Sequence, residues 1–99
     1  MSFQHIFAPS AFQEFEDAVY WYKSKSIRTA ENFAAAIFSK IDMICKDPFR
    51  YRSTYKKFRE TSTKRFPFFI IYFIDKEKNL VVISSIYHHR RNPKRKYKS

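Results

Sequence analysis

The last apolar stretch of the chain runs into His88, His89, Arg90 and Arg91, breaks at Asn92-Pro93, and continues as a basic tail, 93–99. Histidine titrates near neutrality and can take or give a proton, while arginine presents a planar fork that spans two oxygens of a phosphate. Together they suit phosphodiester chemistry. More groups of the same kind lie upstream, at Lys57 and Arg59 and then at Lys64 and Arg65 just before Pro67. Tyr97 adds a ring able to stack on a base. Metal chemistry fits less well. Consecutive side chains on a strand leave opposite faces, so His88 and His89 cannot grip one ion. His5 and the lone Cys45 add no ligand spacing, and no metal is expected.

The composition narrows the chemistry further. The 99 residues include no glycine. A phosphate-cradling loop or a dinucleotide-binding turn needs backbone that approaches a phosphate closely, so no nucleotide cofactor is expected. Cys45 is the single cysteine, which leaves no internal disulfide and points to a reducing, cytoplasmic setting. It falls in a helical apolar pattern and reads as a small buried hydrophobe. The opening MSFQHIFAPSAF has no basic region of a secretory signal, and nothing approaches membrane-spanning length. The net charge of +11 is unevenly placed. Residues 1–47 hold five Lys and Arg against six Asp and Glu, whereas 48–99 hold fifteen against three. An excess confined to half the chain points to an anionic partner, either nucleic acid or an acidic protein.

These groups must be positioned by a small single domain, 1–99, in which aromatics make up 20% of residues and can anchor a core. A short strand, roughly Phe3–Phe7, precedes a proline stop. SAFQ at 10–13 reads as a capping box, with Ser10 as N-cap and Gln13 reaching back. Phe12, Phe15, Val19 and Tyr22 then trace one face of a first helix. A second helix follows over Ile27–Lys46, with Ala30, Phe33, Ile37, Ile41 and Ile44 as its stripe, and Asp47-Pro48 ends it. The helix aromatics, Trp21 and Phe33 included, read as core. A strand is expected over roughly Lys57–Thr63, a central one at 68–75 (FFIIYFID), and its partner at 80–88 (LVVISSIYH), with Asn79 taking the positive φ of the turn. The order is β-α-α-β-β-β, an α+β fold. A helical hairpin covers one face of a mainly antiparallel four-stranded sheet and leaves the other face open.

KRFPFFIIYFID, a short turn, LVVISSIYHHRRNP and the basic tail, set behind a helical hairpin, together resemble the RelE/ParE family of bacterial toxins. The resemblance spans nearly the whole chain. It implies the cytoplasmic toxin of a type II toxin–antitoxin module, neutralised by a cognate antitoxin that wraps an extended, often acidic segment over it. One branch of the family cleaves mRNA on the ribosome without a metal; the other poisons DNA gyrase and is not a nuclease. Lys57 and Arg59 fall where the nuclease branch carries basic residues, and Arg91 with Tyr97 is similar to its arginine–tyrosine pair. A nuclease here would use His88, Arg91, Arg65 and Arg59. Binding of nucleic acid or antitoxin would fall to Lys57, Arg59, Lys64, Arg65, Arg90, Arg91 and Tyr97. Arg59, Arg65, His88 and Arg91 are expected to border the open sheet face. One departure stands out: where the nuclease branch places an arginine at the start of the central strand, this chain has Phe68 and Phe69. Losing that cation removes stabilisation of developing phosphate charge, often the largest catalytic contribution. The non-nuclease mechanism is therefore preferred, with mRNA cleavage and a simple basic nucleic-acid-binding protein as the alternatives.

Overall fold

The computed structural model describes residues 2–90. Its elements are β1 (Gln4–Phe7), α1 (Pro9–Lys23), α2 (Ile27–Lys46), β2 (Arg52–Tyr55), β3 (Phe58–Ser62), β4 (Phe68–Asp75) and β5 (Leu80–His88). They form one sheet in the order β1-β5-β4-β3-β2, parallel between β1 and β5 and antiparallel elsewhere. The α+β order and the one-sided helical hairpin are as the sequence predicts, but the strands number five rather than four. The addition is β2, whose RSTY is mostly exposed and carries no apolar alternation. It is an edge strand made by its pairing with β3, through a turn in which Lys56 adopts φ 51°. Asn79 takes φ 53° in the β4–β5 turn, as expected of a residue that tolerates the left-handed region.

The first helix begins differently from the capping-box reading. Pro9 occupies its first turn, where a missing N–H costs nothing and the fixed φ is already helical, and Ala8 is the N-cap with no side-chain bond. Ser10 lies inside the helix, and Gln13 Nε2 donates to Asp17 Oδ1 at 2.8 Å instead of reaching back. The second helix has the true side-chain cap: Ser26 Oγ accepts from Thr29 N at 3.2 Å.

The buried stripe of α2 is the predicted one, with Phe33, Ile37, Ile41 and Ile44 all at 0% exposure. On α1 the predicted Phe15, Val19 and Tyr22 pack on the core together with Ala11 and Ala18, while Phe12 is 47% and Trp21 57% exposed. Small residues at 11 and 18 let the helix lie close to the sheet, and that turns its larger neighbours outward. Trp21 is thus a surface residue, not a core one. Beneath the helices lie Phe68, Ile70, Tyr72, Val81, Ile83 and Ile86. Each fully buried isoleucine contributes about 1.5–3 kcal/mol.

A bulge in β5 governs the rest of that strand. Tyr72 pairs with Ile83 and Ile71 with Ser85, so Ser84 is the extra residue. Before it, odd-numbered Val81 and Ile83 face the helices; after it, even-numbered Ile86 and His88 do. β1 pairs only with Leu80–Ile83, so the rest of β5 has no strand on that side among the described residues. Glu14 of α1 fills the gap, its Oε1 accepting from Ser85 Oγ at 2.9 Å and from Ile86 N at 3.1 Å. The bulge thus sets which histidine turns to the helix side, where His88 lines a cleft with Glu14.

Candidate functional site

The sheet face turned away from the helices is not the bare platform expected. Ile71, Tyr87 and Glu60 at its centre are buried, with Ile71 at 0% exposure. Arg52 pairs with Glu60 at 3.6 Å, Phe58 packs edge-on to Phe73, and His89 lies over Phe69 at 4.2 Å. Among the described residues, Lys57 is the sequence-predicted cation seen at this face, with its Nζ 4.1 Å from the Phe73 centroid.

The other candidates are held elsewhere. Arg59 pairs with Tyr72 across β3–β4 and therefore points to the helix side. Its Nη1 donates to the carbonyls of Phe49 at 3.2 Å and Tyr51 at 2.6 Å, fastening the segment between α2 and β2. Lys64 and Arg65 are exposed in the β3–β4 loop, which Thr63 braces by donating from Oγ1 to Phe66 O at 2.8 Å. His89 N donates to Pro67 O at 2.9 Å and ties the end of β5 to the same loop, so Lys64, Arg65, His89 and Arg90 gather at one end of the sheet. Lys57 and Arg59 lie towards the opposite end. Arg91 and Tyr97 fall outside the described residues, as does the tail 93–99.

His88 faces the helix side, T-shaped against Phe68 at 5.1 Å. The N–H of Arg90 donates to His88 Nδ1 at 3.1 Å, which in the neutral ring places the proton on Nε2. The histidine and Arg90 line a cleft of about 450 Å³ together with Glu14, Asp17, Trp21, Phe68 and further apolar groups of α1 and β5. Burial there pushes the pKa of the Tyr22 hydroxyl above its ordinary value. Among the described members of the expected quartet, Arg59 and His88 do not converge. Arg59 sits level with Tyr72 and His88 with Phe68, four residues apart along β4, or about 14 Å at the rise of a strand.

Two charged or buried groups are tuned by the fold and were not legible in the sequence. Tyr72 is fully buried and donates from its hydroxyl to Pro48 O at 2.6 Å; burial raises its pKa well above that of a free phenol, while nearby Arg59 opposes the rise. Glu14 was missed as well. Its signal was weak: an acid three residues after Ala11 and four before Ala18, at the margin of the buried stripe. Cys45 is buried as the sequence predicts, and burial with nearby Asp42 raises its thiol pKa, which keeps it unreactive.

Residues 6–93 match the family model described as ParE toxin of type II toxin-antitoxin system, parDE. Curated protein sequences gave no match. Among solved structures, the chain is similar to the chromosomal ParDE toxin–antitoxin system from P. aeruginosa, with TM-score 0.71, 15% identity, and 88% of this chain and 96% of that one covered. It is also similar to the RelBE2 toxin–antitoxin complex from Mycobacterium tuberculosis, with TM-score 0.63, 17% identity, and coverage of 89% and 99%. The isolated E. coli RelE toxin superposes with TM-score 0.64 at 13% identity, covering 93% and 89%. At these identities the structures share the fold.

Proposed function

The chain belongs to the family of ParE toxins of type II toxin–antitoxin systems, and from that premise we propose that it is a growth-inhibiting cytoplasmic protein that acts without cutting RNA. The observation that carries this reading is the placement of Arg59 and His88. Metal-free cleavage of RNA needs a base, a proton donor and a phosphate clamp around one phosphodiester. Here Arg59 is engaged by two backbone carbonyls and His88 sits in a cleft under α1. Phe68 and Phe69 occupy the start of β4, where the nuclease branch carries arginine, and Phe68 is packed into the core. DNA gyrase, the target of the ParE branch, is the proposed target.

A cognate antitoxin is the second partner. Its acidic segment would lie along Lys64, Arg65 and Arg90 at the end of the sheet and along Lys57, with Arg91 and Tyr97 completing the footprint. The toxin–antitoxin complexes among the structural relatives support a partner of this kind.

Inducing the chain alone should stop growth, and co-expressing its cognate antitoxin should restore it. Purified protein should block supercoiling by gyrase, and mRNA should stay intact by primer extension. The competing reading, ribosome-dependent mRNA cleavage, draws on the defined tautomer of His88. It would be established by mRNA breaks that vanish in His88→Ala and Arg91→Ala. Normal growth at verified expression would overturn the toxin reading itself.

A further inference from the structure

Charge and exposed apolar surface are segregated in this molecule. Residues 2–22 contain Glu14, Glu16 and Asp17 and no lysine or arginine, in a chain of net charge +11. Seven of the nine large hydrophobic side chains exposed among the described residues lie in 2–47, the half without a positive excess. Three of them share the short helix α1: Phe12 at 47%, Tyr20 at 77% and Trp21 at 57% exposure. Folding does not call for them, since a polar residue would serve a helix's solvent side as well.

Their surroundings have shape. α1 stands as a ridge between two hollows. One is the cleft of about 450 Å³ walled by Trp21, Tyr22 and Phe68. The other, of about 440 Å³, is lined by Phe12, Val19 and Tyr20 with Glu16 and Lys23. Asp17 borders both. Glu16 and Asp17 are exposed beside the rings. The Trp21 ring already receives a cation, with Lys25 Nζ 5.3 Å from its centroid. Tryptophan and tyrosine are the residues most often found to dominate a protein interface, because they bury a large rigid area at small entropic cost.

We propose that the solvent face of α1, formed by Phe12, Glu16, Asp17, Tyr20 and Trp21, docks this chain on its cellular target, and that the target presents a protein patch with lysine or arginine side chains around an apolar hollow. The charge pattern selects that partner. A basic patch meets carboxylates here, whereas nucleic acid or an acidic antitoxin segment would be repelled from α1 and drawn to the opposite half. The stems of the partner's basic side chains would lie in the two hollows along Trp21 and Tyr20, with their charges on Asp17 and Glu16. The proposal rests on the toxin reading and adds that target and antitoxin engage different faces.

The test expresses the wild type, a Tyr20→Ala/Trp21→Ala variant, a Glu16→Lys/Asp17→Lys variant and a Glu16→Gln/Asp17→Asn variant in cells without the antitoxin. Growth is scored, and each purified protein is assayed for thermal melting and for affinity towards the antitoxin. The expected result is loss of arrest in the aromatic and charge-reversed variants, partial loss in the neutralised one, and unchanged melting and antitoxin affinity in all. Each truncated ring should weaken target binding at least about tenfold if it is an interface anchor. Full arrest by the aromatic variant overturns the docking face and leaves the toxin reading standing. Joint loss of arrest and antitoxin affinity assigns α1 to the antitoxin and overturns the separation of faces. Full arrest by the charge-reversed variant overturns the basic partner. Absence of arrest by the wild type removes the toxin reading and the docking face with it.

Discussion

Single side chains in this protein are tuned mainly by what they must hold together. Tyr72 is the clearest case, because its hydroxyl bridges the middle of the sheet to Pro48 just after α2. Tyr72→Phe leaves that buried carbonyl without its donor and should cost about 1–3 kcal/mol in urea denaturation at neutral pH. Its pKa is raised in the folded state, so the native protein keeps this proton after the unfolded chain has released it. Stability should therefore be constant with respect to this group below about pH 10 and fall as pH rises beyond it, by at most about 1.4 kcal/mol per pH unit. The fall should be shallower in Tyr72→Phe; an identical alkaline profile would show that other groups carry the effect, Tyr22 and Cys45 being raised in the same direction. None of this was legible from the residue's type. Arg59 makes the same point from the site: its charge and strand were predictable, but its bonds to Phe49 and Tyr51 carbonyls depend on where the α2–β2 segment crosses.

At the scale of elements, legibility followed length. α2, β4 and β5 each carry eight or more residues of sustained pattern, and their predicted bounds are the observed ones. β2 has four mostly exposed residues and is held by pairing rather than by propensity, so no local signal marks it. α1 was placed correctly, but its start was misread because SAFQ imitates a capping box next to a proline that begins the helix itself. The distinction is measurable. Ser26→Ala should destabilise the protein by about 1 kcal/mol, since Ser26 caps α2 through Thr29 N. Ser10→Ala should be close to neutral in the same thermal melt, and a comparable loss at both positions would contradict the cap assignment. The bulge at Ser84 was invisible in LVVISSIYH, and with it the fact that His88 rather than His89 turns towards α1.

At the scale of the whole molecule, one hairpin and one sheet keep two unlike surfaces apart, aromatic and weakly acidic on α1, basic at both ends of the sheet. The half-by-half charge imbalance was readable in the sequence, while the expectation of one shared cationic platform was not met, because the cations of β3 and those after it are stationed at opposite ends. If the basic ends receive the antitoxin, reversing the charge of Lys64, Arg65 and Arg90 together should slow its association about tenfold or more and flatten the dependence on salt, read by stopped-flow mixing. An unchanged rate would place the antitoxin elsewhere. The order of strands also bears on manufacture. β5 is the last described strand to be synthesised, yet it sits between β1 and β4 and supplies Val81, Ile83 and Ile86 to the floor under the helices. Until its codons have been read, β1 has nothing to pair with and the hairpin lies over half a floor. A nascent chain that stops short of β5 therefore lacks the strand that joins β1 to β4 and cannot complete the layer beneath the hairpin.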